Sequence, residues 1–341
     1  MPPTPPEAAP APGCRFAHLT DLHLTNLAAA PRSALRGKRL LGYLSWRRRR
    51  RAEHRREVLD TLLRHLRADA REQVLISGDL THIGLPQEFR EAAQWLAALG
   101  PGPQVGVVPG NHELCARGGV DAGLALWRDY LAGDGPAAAP FPSLRERAGV
   151  AFIGVSTAVV TPALLATGRV GSRQRSALAA RLRDAARRGL FRVVYLHHCP
   201  LPGTDRWRKR LTDAAAVSAV LREEGVELVL HGHGHRSLRG QLQTRHGAAP
   251  VLGTASASAA GNHGEAAGYR DFRVTRTAGG WRLRQRRFRY DPASAAVLPA
   301  GEEQEEALPR AHAGATHAAG RARREGRCRL QDPAAADPPG T

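Results

Sequence analysis

The chain has 341 residues, a formal net charge of +19 and 42% hydrophobic residues. That length and apolar content suit one large α/β domain with tails, and the charge raises nucleic acid or an anionic membrane as a partner. There is no run of about 18 apolar residues and no basic start followed by a short apolar stretch, so neither a membrane span nor a signal peptide is expected.

In chain order, residues 1–13 are mostly Pro and Ala and read as a disordered N-terminus. The apolar run Phe16-Ala17-His18-Leu19 predicts the first strand, ending at Thr20-Asp21-Leu22-His23. A basic, partly apolar insert at about 35–55 follows, with Leu40, Leu41, Tyr43, Leu44 and Trp46 ahead of Arg47 to Arg51. Val58, Leu59, Leu62, Leu63 and Leu66 then recur at helical spacing. Val74-Leu75-Ile76 predicts a second strand before Gly78-Asp79, and Phe89, Ala92, Ala93, Leu96 and Leu99 mark a helix that Gly100-Pro101 stops.

Val105 to Val108 predicts a third strand that leads into Gly110-Asn111-His112-Glu113. A weaker helix around Leu124 to Leu131, a strand at Val150 to Val155 and a helix from Gln174 to Ala186 precede Val193 to Leu196, which ends at His197-His198. A helix over Ala214 to Arg222 and a strand over Val226 to Leu230 then reach Gly232-His233-Gly234-His235. Val251-Leu252-Gly253, Phe272 to Thr275 and Trp281 to Tyr290 predict a closing run of antiparallel strands, so the catalytic domain is placed at 14–292 and 293–341 is read as a disordered tail. Strands alternating with helices predict an α/β sandwich with the five loops gathered at one edge.

The residue types in those loops point to metal chemistry. Carboxylate oxygen, imidazole nitrogen and amide oxygen are ligands for hard and borderline divalent cations. Asp21 and His23 alternate, and in an extended segment they would face one cation together. Asp79 follows a glycine and has lone pairs enough to bridge two cations. Asn111 offers a neutral oxygen, while His112 faces a substrate and serves as general acid or charge stabiliser. The glycines around His233 and His235 remove bulk so that two imidazoles reach two metals. Each motif is weak alone, and their order and context give them weight together.

On these residues the chain resembles the calcineurin-like metallophosphoesterase superfamily, whose pattern is D-x-H, G-D, G-N-H-D/E, H and G-H-x-H. The resemblance covers roughly Arg15 to Tyr290 and implies a four-layer α-β-β-α sandwich, with the metal loops at one edge of its two sheets. It implies that Asp21, His23, Asp79 and His235 hold one divalent metal ion, and that Asp79, Asn111, one histidine of the His197-His198 pair and His233 hold the other. The family spacing to a proline matches His198-Cys199-Pro200, so His198 is taken as the ligand. The resemblance leaves Mn, Fe and Zn as the candidate ions. It implies that ions held there would activate a water for in-line attack at phosphorus, with His112 assisting the leaving oxygen and Glu113 orienting neighbours.

Protein phosphatases of this superfamily carry G-D-x-x-D-R-G, whereas His82 and Ile83 stand here at the second Asp and the Arg. The short G-D-L form and the H-H-x-P segment are more similar to bacterial phosphodiesterases of the cyclic-nucleotide type (class III). A phosphodiesterase acting on small nucleotides or related diesters is therefore expected. The alternatives are a nucleotide-sugar or lipid pyrophosphate hydrolase at the membrane surface, drawing on the apolar-basic insert, and a nucleic-acid-binding protein or nuclease drawing on the charge. That charge is almost all Arg, so a solvated helix start in an Arg-biased chain is favoured for Arg47 to Arg51 over a phosphate or acidic-lipid contact. A small phosphoester substrate is the expected partner, with nucleic acid or an anionic membrane as further candidates. His18 and His82 are read as structural or exposed. Cys14, Cys115, Cys199 and Cys328 lack C-x-x-C spacing, which fits a reducing cytoplasm.

Overall fold

The computed structural model describes residues 13–116, 120–135 and 140–309. Residues 1–12 and 310–341, which hold most of the N-terminal segment and of the expected tail, lie outside the described residues.

Thirteen strands and eight helices alternate along the described chain. The strands are β1 (Cys14–Leu19), β2 (Gln73–Ile76), β3 (Val105–Val107), β4 (Ser143–Arg147), β5 (Val150–Val155), β6 (Phe191–Leu196), β7 (Leu228–His231), β8 (Arg239–Thr244), β9 (Gly247–Gly253), β10 (Gly268–Thr277), β11 (Gly280–Asp291), β12 (Ala296–Pro299) and β13 (Gln304–Pro309). The helices are α1 (Lys38–Ser45), α2 (Arg51–Glu53), α3 (Arg56–Arg67), α4 (Pro86–Leu99), α5 (Val120–Ala125), α6 (Arg128–Leu131), α7 (Ser172–Arg187) and α8 (Ala214–Glu224). A π-helical turn, Trp46–Arg50, joins α1 to α2. The single helix expected around 124–131 is two short ones, broken at the buried Trp127, whose indole donates to the Phe89 carbonyl at 2.9 Å.

The strands form two sheets. One runs β12-β11-β10-β1-β2-β3 with β13 also on β11, and the other runs β4-β5-β6-β7-β9-β8. Strands β1, β2 and β3 are mutually parallel, as are β5, β6, β7 and β9. These strands are apolar on both faces because both faces are covered. Strand alternation then divides the core. Phe16, Phe152, Val193 and Tyr195 point between the sheets, where Phe16 meets Phe152 edge-on at 5.0 Å between ring centres. Ala17, Leu19 and Ile76 point outward against Leu59, Leu62, Leu66 and Phe89 of α3 and α4. Ile153, Val194 and Leu196 pack on Leu178, Leu182, Val217 and Leu221 of α7 and α8. The result is the expected α-β-β-α sandwich.

One expectation is corrected. Strands β12 and β13 lie inside the segment read as a disordered tail, and both pair with β11. The acidic run that suggested disorder faces the Arg-rich strand: Arg282 and Arg284 pair with Glu305 at 3.0 and 2.5 Å, and Arg286 pairs with Glu303 at 2.5 Å. Opposite charges across an antiparallel pair stabilise it, and Leu308 buries an apolar anchor beside them.

Candidate metal centre

The five motif loops leave the carboxyl ends of β1, β2, β3, β6 and β7, three from one sheet and two from the other. Five of their residues have left-handed backbones: Asp21 (φ 53°), His23 (φ 44°), Asp79 (φ 57°), His233 (φ 65°) and His235 (φ 54°). Non-glycine residues rarely hold this conformation, and when several cluster the surrounding structure is enforcing them for a site. Asp21 and His23 hold left-handed rather than extended backbone, which corrects that part of the sequence reading.

Hydrogen bonds between the loops do the enforcing. The Asp21 and His23 amides donate to the Gly78 and Asp79 carbonyls, each at 3.0 Å. The buried Glu113 carboxylate accepts the amides of Asp79 at 2.9 Å, Gly110 at 2.7 Å and Thr81 at 2.9 Å, which ties the second loop to the third. Burial, helped by the Asp79 charge, pushes the Glu113 carboxyl up to about 7. Gly232 is obligatory, because a Cβ there would fall on the Thr20 hydroxyl and lie 2.7 Å from Asp21 Oδ2, whereas Gly234 has no neighbour closer than 3.8 Å.

Asp79 stands at the middle. Its Oδ2 lies 3.1 Å from His197 Nε2, and its Oδ1 accepts the His112 amide at 2.8 Å. Asp21 Oδ1 lies 3.1 Å from His235 Nε2, and Asp21 Oδ2 accepts the His233 amide at 2.9 Å. The Asn111 side-chain oxygen and His233 Nδ1 each approach His197 Nε2 at 3.2 Å. Candidate ligand atoms within 4.8 Å of one another form several groups, among them His23-Asp79-His112, Asp21-Asp79-His197, His197-His198-His233 and His23-His54-His235. Asp79 belongs to two of these groups, as do His23 and His197, but of the three only the carboxylate has two oxygens with which to serve two cations at once.

The histidine pair corrects the sequence assignment. His197 Nδ1 donates to the Ser77 carbonyl at 2.6 Å, which turns Nε2 toward Asp79 and Asn111. His198 has both nitrogens engaged outside the centre, Nδ1 with the Thr157 hydroxyl at 2.7 Å and Nε2 with the Ala166 carbonyl at 3.1 Å. His198 therefore buttresses the His233 ring, 4.4 Å away between ring centres, and His197 is the better placed of the pair to hold a metal.

The electrostatics suit bound cations. Burial raises the Asp79 carboxyl, but the neighbouring His197 and His112 hold it down to about 2. Burial lowers His197, yet Asp79 and Asp21 outweigh it and raise the imidazole to about 10. Two fully buried carboxylates facing each other require positive charge between them. His23 Nε2 and His233 Nε2 are buried without a hydrogen-bond partner among the described residues. His23 Nδ1 faces the Thr81 carbonyl at 2.9 Å, so its Nε2 keeps a lone pair for a cation. Burial, followed by neighbouring imidazoles, keeps His23 and His233 neutral, the form a metal needs. This donor set fits two divalent ions of the Mn, Fe or Zn type.

Sequence reasoning missed two residues, both from the basic insert. Arg50 Nη1 donates to His112 Nε2 at 2.9 Å, while His112 Nδ1 meets the His82 carbonyl. His54, held by the Ser258 hydroxyl at 2.9 Å, sits 4.3 Å from the His23 ring. The insert folds over the centre, anchored by buried Trp46 against Leu27, Ile83 and Leu85. His82 is buried and stacks on His23 at 4.9 Å, and His18 bridges the Thr254 and Ser77 hydroxyls as a structural residue.

A profile of the calcineurin-like phosphoesterase family (Metallophos) matches residues 14–237. Among solved structures the chain is similar to a dimetal phosphatase from Danio rerio, at 14% identity over 84% of this chain and 98% of that one, with a TM-score of 0.55. It is also similar to GAP50, the anchor in the inner membrane complex of Plasmodium, at 10% identity over 87% and 89% of the two chains, with a TM-score of 0.47. No curated protein matches it. The first of these likenesses supports the fold; the second is too distant to add to it.

Proposed function

This chain belongs to the calcineurin-like phosphoesterase family and is a metal-dependent phosphoester hydrolase, and from that premise we propose a phosphodiesterase acting on small nucleotides or related diesters. The observation that carries the proposal is the buried Asp79 carboxylate, which has two oxygens and belongs to two groups of candidate N/O ligand atoms. Asp21, His23, Asp79 and His235 would hold one ion, and Asp79, Asn111, His197 and His233 the other. Such a pair supplies a nucleophile at neutral pH and charge stabilisation at phosphorus. In this chain Glu113 fixes the loop that carries Asp79, and Ser77 fixes the His197 ring. His112 Nε2 accepts a hydrogen bond from Arg50, which sets a guanidinium beside this imidazole.

Trp207 supports a nucleotide. It is 62% exposed in the loop after His198, with the Arg208 guanidinium 5.1 Å from its ring centre, and the backbone of that loop is tied to Ala166 and Gly168. An exposed ring of this kind offers a base a stacking platform. The similarity to class III enzymes points the same way.

A second reading draws on Leu40, Leu41 and Leu44, which are exposed together on α1 next to Arg47 and Arg48. Such a face suits an anionic bilayer and a lipid-linked or nucleotide-sugar pyrophosphate. Among the described residues no helix is long and apolar enough to cross a membrane. Cys14, Cys115 and Cys199 are buried free thiols, which supports a reducing cytoplasm as the compartment.

The test is hydrolysis of bis(p-nitrophenyl) phosphate beside p-nitrophenyl phosphate, with and without anionic vesicles. Diester preference independent of vesicles is the expected result. Monoester preference overturns the phosphodiesterase assignment, and strict vesicle dependence moves the reading to the membrane surface. Tight binding of duplex DNA by a catalytically silent chain would favour a nucleic-acid protein.

A further inference from the structure

Of the five consecutive arginines of the insert, four are exposed, whereas Arg50 is turned inward and half-buried. The π-helical turn Trp46–Arg50 accounts for the difference. It widens the helix by one residue so that Trp46 enters the apolar cluster with Leu27, Ile83 and Leu85 and Arg50 reaches the metal centre. Single π turns inside helices are concentrated at functional sites.

The segment is strapped down on three sides. Lys38 Nζ donates to the Thr161 hydroxyl at 2.5 Å and the Leu165 carbonyl at 2.9 Å, and Arg39 donates to the Ile83 and Gly84 carbonyls at 3.2 and 2.8 Å. At the far end the Arg55 amide donates to the Ser258 carbonyl at 2.9 Å and the Ala260 amide to the Glu53 carbonyl at 2.7 Å. Arg50 is thus carried on a braced bridge, with little conformational freedom left to lose on binding a ligand.

Its guanidinium has five donors, and among the described residues its side-chain hydrogen bond is the one to His112 Nε2 at 2.9 Å. Among the described residues no carboxylate pairs with it within 4.0 Å. A half-buried guanidinium without a carboxylate partner, beside a centre built for phosphoryl oxygens, has the planar fork that matches phosphate. We propose that Arg50 grips a non-bridging phosphoryl oxygen of the substrate and holds it against His112, so that the basic insert is a part of the active site. This rests on the reading of the chain as a phosphoester hydrolase, and deepens it by naming the residue that orients the phosphoryl group.

The probe is inorganic phosphate, titrated calorimetrically at fixed ionic strength into the full-length, Mn²⁺-loaded chain, with metal content measured for every variant. Arg50→Ala is expected to weaken phosphate by about tenfold to a hundredfold, as loss of a charge-assisted hydrogen bond does. Arg50→Lys keeps the charge without the fork and is expected to fall between Arg50→Ala and the parent. The exposed Arg48→Ala is expected to bind within about twofold of the parent, since a neighbouring solvated charge contributes little.

Parent-like phosphate binding by Arg50→Ala with metal retained overturns the proposal, as does an equal loss in Arg48→Ala, which would reveal only a general basic field. Should Arg50→Ala fail to fold, Arg50→Lys decides: unchanged phosphate affinity overturns the proposal and a weakened one supports it. A parent that takes up no metal defeats the hydrolase reading instead, and the same titration on that chain still reads Arg50.

Discussion

The Glu113 carboxylate accepts the backbone amide of Asp79 at 2.9 Å, so a residue that holds no ligand position decides where the shared carboxylate stands. In Glu113→Gln, an amide NH2 would face one or more of the three backbone N–H groups that now point at oxygen. Metal affinity is expected to fall by about 10- to 100-fold, the usual size for a residue supporting a ligand. Competition with a chromophoric chelator measures it, and an unchanged affinity would remove Glu113 from this role.

His197 and His198 are separable by metal counting. His197→Ala is expected to reduce bound Mn²⁺ from two equivalents to at most one, and His198→Ala to keep both, since His198 bonds Thr157 and Ala166. The reverse pattern would restore the choice made from the proline spacing.

The two glycines of the last motif differ in the space around them. Gly232→Ala places a methyl on the Thr20 hydroxyl and is expected to destabilise the fold by about 1–3 kcal/mol, the range for overpacking. Gly234→Ala has room and is expected to unfold like the parent. Thermal denaturation of both variants checks the contrast, and equal melting points would refute it.

Much of this was legible in the sequence. The five loops could be placed because each follows an apolar strand, and the parallel strands β1, β2, β3, β6 and β7 deliver them to one edge. The choice between His197 and His198 was not legible, because it depends on carbonyls and hydroxyls supplied by Ser77, Thr157 and Ala166 from distant parts of the chain. Arg50 was hidden in a run whose other members are solvated, and only the π turn singles it out. The acidic stretch after Ala300 looked unstructured because its cationic partners lie on a neighbouring strand. Left-handed backbone at five loop residues was not legible either, since Asp and His enter that region more often than most residues but still only in a minority of cases.

Acid stability of the chelated protein follows from buried neutral histidines. Burial, then Arg270, lowers His18 to about 3, and burial, then His197, lowers His198 to about 3. The unfolded chain therefore takes up these protons first, so the stabilisation is full above about pH 6.5 and is lost as pH falls below it. Each of the two is expected to contribute about 2 kcal/mol of loss between pH 7.5 and 5. Urea unfolding of His18→Gln, which keeps polar contacts to Ser77 and Thr254 but cannot titrate, should show a pH slope shallower by that amount. A parent whose stability is flat over this range contradicts the account.

The most direct measurement is metal content. The full-length chain and Asp79→Asn are stripped with chelator, dialysed against Mn²⁺ and assayed by elemental analysis beside bis(p-nitrophenyl) phosphate hydrolysis. The parent is predicted to take up two equivalents and regain turnover, and Asp79→Asn to hold at most one and lose activity by more than about a hundredfold, in keeping with loss of a residue that acts on both ions. Two tightly held equivalents and full turnover in Asp79→Asn would contradict a centre built around that shared carboxylate.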